Sequence, residues 1–298
     1  MENTSYNVVI FSRPGEQTIL PIIGALWAAE NDGLLSEVVA WVCPSTTSLI
    51  TIMYICGYKC SEIISILHNI PELLTSHIAF KNLTNLGSDI TDSKNKFTEL
   101  IKIKLNSIPT LKNFHDEYGI SIITVAMNLE KQMNEYINYE TYPNMSLVDF
   151  LCISFSTPGI YKPYRYENCN WIDGSIIESF PIESIDLDCG LILAISNSQS
   201  IISLKSTDPL TQIKNFIRCL NEASRFASIK EYPNVRNIII QIEELLISEE
   251  NNTPFTKRLI LQLGSDTVNK MYCGWNEFKK THYKSIKEKE TQLAFEQE

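Results

Sequence analysis

Short β-branched apolar runs and longer stretches with apolar residues every three or four positions take turns along this chain, and Gly, Pro and Ser mark the joins. Asn7 to Phe11 reads as a buried strand, followed by a loop over Ser12-Arg13-Pro14-Gly15-Glu16-Gln17. Thr18 to Asp32 carries Ile22, Ile23, Leu26, Trp27 and Ala29 near a helical period and closes at Gly33, a suitable C-cap. A second strand over Val38 to Val42 runs into Pro44, Ser45 and Thr46. Helices then follow over Leu49 to Ile55, ending at Gly57, and over Ser61 to Asn69. Strand, loop, helix, strand, sharp turn, helix is the start of a layered α/β domain with a parallel sheet.

Further on the pattern loosens. Thr91 to Asn106 and Thr110 to Tyr118 predict helices, Ser121 to Met127 a strand, and Ser146 to Ser156 an amphipathic helix. Trp171-Ile172 ends a strand at the turn Asp173-Gly174. Leu191 to Ile195 and Val235 to Ile242 predict two more strands, separated by a helix over Leu210 to Ala227. A long helix is expected from Ser265 to Lys289, capped by Ser265 or Asp266, with a solvated charged face over Lys279 to Lys289. There is no internal repeat. Glu249 to Thr253 is linker-like but too short to define a second domain. The expectation is one domain over residues 1–298, with its core over 7–250 and a C-terminal helical extension over 255–298.

Composition removes several classes of function. The chain has 298 residues, 44% hydrophobic and 20% charged, enough to bury a large core. Its formal charge of -10 argues against nucleic acid and against strong attraction to anionic membranes, because neither follows without clustered Lys and Arg. Met1 to Tyr6 show no basic segment leading into an apolar one, so no secretory signal is expected, and no apolar run approaches the ~20 residues of a membrane span. The eight cysteines are irregularly spaced and read as buried free thiols of a reducing compartment. His68, His77, His115 and His282 form no local pair, so no metal site is expected. The abundance of Ile, Asn and Lys fits an A/T-rich genome, with a virus among the candidate sources. The expected location is the cytoplasm, the host's if the source is viral.

The candidate chemistry begins at Cys43-Pro44-Ser45-Thr46-Thr47, between a buried strand and a helix. A serine on such a turn is a nucleophile elbow: its hydroxyl is lifted clear, and the helix N-terminus offers positive potential to an oxyanion. The usual GxSxG pattern keeps the residues two before and two after the serine small, whereas Cys43 and the β-branched Thr47 stand there. Taken alone, the pentapeptide favours the plainer reading of Ser45 as a helix N-cap. Asp173-Gly174 alone likewise favours a simple turn.

The wider order of segments changes this reading. The first strand and its loop are followed by Gly24-Ala25-Leu26, Gly33-Leu34-Leu35, the elbow, and Ile55-Cys56-Gly57-Tyr58 with Ser61-Glu62-Ile63 after it. Next come Thr141-Tyr142-Pro143-Asn144-Met145-Ser146-Leu147, Ser154-Phe155-Ser156-Thr157-Pro158-Gly159, Trp171-Ile172-Asp173-Gly174-Ser175 and Phe180-Pro181-Ile182. This ordered set resembles the patatin-like phospholipase family over residues 7 to 190, with a fainter echo near Met271 to Phe278.

The resemblance implies a single patatin-like α/β domain: a central, mostly parallel sheet flanked by helices, with a C-terminal helical tail. It implies hydrolysis of lipid or phospholipid esters without cofactor, Ser45 attacking the carbonyl and Asp173 taking its proton. Peripheral membrane contact would give access to substrate, and the irregular stretch Leu73 to Leu86 is the candidate lid or rim. The family's oxyanion loop is rich in glycine, but here Gly15 is its one glycine, and Pro14 has no N–H to donate. Loss of one such donor costs about 3 to 4 kcal/mol of transition-state stabilisation. Thr46 N–H remains available. Arg13 is either an electrostatic substitute or, as expected of a loop arginine, a solvated side chain. Retention of Ser45 and Asp173 favours a weakened enzyme, and loss of the glycines favours an inactive lipid-binding or protein-interaction module.

Overall fold

The computed structural model describes residues 6–13, 19–69, 87–186, 190, 192–199, 212, 219, 223 and 235–242. Strands β1 (Val8–Phe11), β2 (Ala40–Val42), β3 (Ser121–Asn128), β7 (Ile192–Gln199) and β8 (Val235–Ile242) form the parallel part of one sheet. Strands β4 (Met133–Ile137), β5 (Tyr164–Tyr166) and β6 (Cys169–Asp173) extend it with antiparallel pairings. Pairing runs β5-β6-β3-β2-β1-β7-β8, with β4 also on β3. The helices are α1 (Ile19–Asn31), α2 (Thr47–Ile55), α3 (Cys60–Asn69), α4 (Thr91–Leu105), α5 (Leu111–Tyr118) and α6 (Leu147–Phe155).

The strands are apolar on both sides because the sheet is covered on both faces. Alternation along β1 divides them. Val9 and Phe11 join Trp41, Cys43, Ile122 and the apolar faces of α1, α2 and α6 in the larger core. Val8 and Ile10 join Val42, Ile123, Phe180 and Ile182 on the other face. A helix such as α2, with Leu49, Ile50, Ile52 and Met53 all buried, is held by this packing rather than by its short length.

The expected helices and parallel strands are present within a residue or two wherever they fall on described residues, except that β7, expected to end at Ile195, runs on to Gln199 because its pairing with β8 continues through the polar residues Ser196 to Gln199. Strands β4 and β5 went unanticipated, because Met-Asn-Glu-Tyr-Ile lies half-exposed on the sheet edge with little apolar pattern, and β5 has three residues. Gln212, Cys219 and Ala223 are helical and exposed. The rest of the expected 210–227 helix, the stretch 73–86 and the tail lie outside the described residues.

Hydrogen bonds set where the strands around β3 meet. Ser121 N–H donates to Val39 and Ile123 accepts from Cys43 N–H, both towards β2, while Leu129 N–H donates to Asn170 of β6. Backbone groups of a strand alternate between its edges with a period of two, so these odd-numbered residues face one edge. β2 and β6 therefore share that edge end to end, and β4 takes the other.

Candidate active site

β2 leaves the sheet after Val42, and the chain turns through Pro44 and Ser45 into α2. Ser45 has φ +55°, the left-handed region that costs an L-residue roughly 1–2 kcal/mol, so the surrounding contacts must hold it there. They do so through its carbonyl, which accepts from Ser48 N–H at 3.0 Å, Ser48 Oγ at 2.6 Å and Ser154 Oγ at 3.2 Å. Ser154 is itself bonded to Thr124 of β3 at 2.9 Å. Ser45 is not the helix N-cap: that position belongs to Thr46, whose side chain makes no capping bond. The plainer reading of Ser45 thus gives way to a strained serine on a strand-to-helix turn.

The two departures from the small-residue pattern are accommodated. Thr47 turns its hydroxyl back onto the Pro44 carbonyl at 2.6 Å, so the branched side chain ties the turn rather than crowding it. Cys43 is fully buried, with Sγ 3.5 Å from the Ile123 carbonyl oxygen. Burial pushes its thiol up to about 12, against weaker downward pulls from hydrogen bonds to Thr51 and Ile123, so Cys43 is no competing nucleophile.

Asp173 closes β6. Ile10, Val42 and Ile123 are aligned across β1, β2 and β3. β1 ends at Phe11 and β2 at Val42, shortly before Arg13 and Ser45, while β3 runs on to Ala126, which pairs with Asp173. Where β2 turns away at Ser45, β6 takes up the same edge of β3 with its last residue. Helix α6 bonds to both sides of the junction: Ser154 holds the Ser45 carbonyl, and the Ser156 carbonyl accepts from Asp173 N–H at 3.0 Å.

The Asp173 carboxylate is buried and well supplied with donors. Oδ1 accepts from Ser175 N–H at 3.0 Å and Ser175 Oγ at 2.5 Å, and Oδ2 accepts from Thr157 Oγ1 at 2.9 Å. Arg13 Nε lies 3.5 Å from Oδ2. Among the described residues no hydrogen bond joins Ser45 Oγ to this carboxylate. Asp173 also caps the 3-10 turn Gly174–Ile176, so the turn reading of Asp-Gly holds. Gly174 is required by a close approach: a Cβ there would stand 2.9 Å from backbone atoms of Ala126.

Arg13 is the correction. Its side chain is 10% exposed and ion-paired, not solvated. Its N–H donates to Ser179 at 2.7 Å, which binds the end of β1 to the segment after β6. The ion pair with Asp173 joins the residue shortly after β1 to the last residue of β6. Thr46 N–H takes part in none of the backbone bonds of the elbow, which use Thr47 and Ser48. Gly15 lies outside the described residues. Ser154, Thr157 and Ser175 were missed as supporting residues, although a serine inside the apolar run Leu-Val-Asp-Phe-Leu-Cys-Ile-Ser-Phe of α6 is a visible signal of a buried polar contact. Among the described residues no cluster of His, Cys, Asp and Glu could hold a metal ion.

A curated relative, "Probable lipid hydrolase 463L" of Invertebrate iridescent virus 6, is 28% identical over 155 residues, which is 50% of this chain and 53% of that one. The chain thus spans about half the length of this relative. VipD from Legionella pneumophila superposes with a TM-score of 0.56 at 15% identity, over 90% of this chain and 66% of VipD, a likeness of fold. ExoU in its complex with SpcU, from Pseudomonas aeruginosa, gives a TM-score of 0.48 at 11% identity, over 90% of this chain and 52% of that one. The model of the family described as patatin-like phospholipase matches residues 23–186, more than half of the chain and all of the elbow-to-Asp173 region, so the chain belongs to the patatin-like phospholipase family.

Proposed function

We propose that the chain is a serine lipid acyl hydrolase that cleaves the ester bonds of lipids, phospholipids among them, with Ser45 as nucleophile and Asp173 as base. The observation that carries this reading is the placement of the two residues around β3: a strained serine on the turn after β2, and an aspartate ending the strand that follows on the same edge of β3.

As Ser45 Oγ attacks the ester carbonyl, its proton passes to the Asp173 carboxylate. The bond to the alcohol breaks, and the alcohol leaves with that proton. Water, deprotonated by Asp173, then hydrolyses the acyl-enzyme and restores Ser45. Thr46 N–H, at the start of α2, donates to the oxyanion, and the family resemblance assigns Gly15 N–H to the same hole. The chemistry needs no metal or organic cofactor. Catalytic hydrogen bonds are often long before substrate binds, so the lack of a Ser45–Asp173 bond is compatible with this mechanism. The reading places the protein in the cytoplasm, touching membranes peripherally to reach its substrate.

The state of Asp173 favours a second reading. Its oxygens are already engaged by Thr157, Ser175 and Arg13, as suits a catalytically inactive module that binds lipid or a protein. The first reading expects a fluorophosphonate probe to label the protein but not Ser45→Ala. It also expects fatty acid to be released from phospholipid vesicles by the former alone. Absence of both signals in the unmodified protein would leave the inactive module.

A further inference from the structure

We propose that Arg13 latches the base in the resting site, and that a phosphate group on the ester substrate releases the latch by taking the guanidinium from Asp173. This inference rests on the reading of Ser45 and Asp173 as the reacting pair.

Three observations support it. Arg13 follows the end of β1 and reaches the carboxylate that ends β6, with Nε 3.5 Å from Asp173 Oδ2. The pair is shielded from water, Arg13 being 10% exposed and the Asp173 side chain 0%. Finally, Asp173 Oδ2 accepts from Thr157 Oγ1 and has Arg13 Nε 3.5 Å away in an ion pair rather than a hydrogen bond, so the oxygen that could receive a proton is held by one donor and one cation.

The electrostatics follow from the reaction. When Asp173 takes the proton of Ser45 it becomes neutral, and a buried guanidinium opposite it loses its counter-ion, which is strongly unfavourable. A neutral ester supplies no stable replacement. An ester with a phosphate near the scissile carbonyl does, and the guanidinium is planar and forked, suited to two oxygens of one phosphate. The overall charge of -10 gives no general attraction for anions, so recognition of a phosphate must come from a local cation such as this one. The latch therefore makes the substrate's own anion a condition for freeing the base.

The experiment uses the full chain and compares dihexanoyl phosphatidylcholine, below its micelle concentration, with dihexanoylglycerol. The unmodified protein should prefer the phosphate ester by about tenfold or more in kcat/KM, and Arg13→Gln should bring the ratio to within about threefold, partly by raising kcat on the neutral ester. Arg13→Lys keeps a cation and should retain most of the preference. Inorganic phosphate added to the neutral-ester assay distinguishes a free anion from a covalently attached one: acceleration of the unmodified protein but not of Arg13→Gln would mean that either source opens the latch, and acceleration of neither would mean that the phosphate must be part of the substrate. Equal losses on both esters in Arg13→Gln, or an unchanged ratio, overturn the latch while leaving Ser45-dependent hydrolysis intact. If no protein shows Ser45-dependent hydrolysis of either ester, the dyad reading falls and the latch falls with it. Thermal unfolding of Arg13→Gln separates misfolding from a change in preference, and should that variant not fold, the Arg13→Lys ratio and the phosphate response of the unmodified protein decide the matter.

Discussion

Ser45 carries a conformational cost that is useful only if its hydroxyl must stand clear of both strand and helix. Glycine adopts φ +55° freely, whereas alanine shares the strain of serine. Ser45→Gly should therefore be more stable than Ser45→Ala by about 1 kcal/mol, measured by chemical denaturation, although both lack the hydroxyl. Equal stabilities would mean that the turn relaxes and stores no strain. The contrast between Ser45 and Cys43 is also a matter of environment. Burial holds the Cys43 thiol protonated, while Ser45 sits on the turn that leads into α2. The identity of the candidate nucleophile thus depends on placement and not on intrinsic reactivity, by which the thiol would have the advantage.

At the scale of elements, α6 is the support of the site, and its other end is anchored by charge. Ser146 caps the helix by accepting from Asp149 N–H at 3.0 Å. The Asp149 carboxylate accepts from Ser146 Oγ, Lys94 Nζ of α4 and Tyr164 OH of β5 at 2.6, 3.0 and 2.5 Å. Burial pushes the Asp149 carboxyl up, but these hydrogen bonds and the Lys94 charge outweigh it, so the group ends below its usual range. A carboxyl that is harder to protonate when folded stabilises the fold fully above its unfolded value of about 4, and loses that contribution as pH falls through the lower folded value. Asp149→Asn should lower stability by about 1 kcal/mol at neutral pH and by much less near pH 3. Denaturation midpoints against pH would check this, and parallel curves for the two proteins would count against the anchor.

On the scale of the whole molecule, the site lies where ligands usually bind in open α/β sheets, beyond the carboxyl ends of parallel strands. No helix among the described residues is long and apolar enough to cross a membrane. With a net charge of -10, lipid contact through the proposed peripheral mode must rest on apolar burial more than on attraction to anionic headgroups. Vesicle co-sedimentation should then show no gain in binding when phosphatidylserine is added to phosphatidylcholine, and little dependence on salt. A marked gain at low salt would point to a basic surface instead.

The local pattern of the sequence was sufficient for the strands and helices with strong periodicity, and for the two turns that carry Ser45 and Asp173. Such signals arise from neighbouring residues, as in the apolar run into Pro44-Ser45 or the Asp-Gly step after Trp171-Ile172. The half-polar β4 was illegible because its pairing partner, not its own composition, makes it a strand. Gly174 could be read as a turn residue, but the closeness of the Ala126 backbone that demands glycine could not. Arg13 shows the same division: its place after the first strand was plain, while its ion pair with Asp173 joins the ends of two strands far apart in the chain. Chemistry-bearing residue types and the rhythm of the elements were determined by the chain itself. Which charges meet, and which serine is held in a strained turn, was decided by strand register and burial, because those contacts join residues that no local period connects.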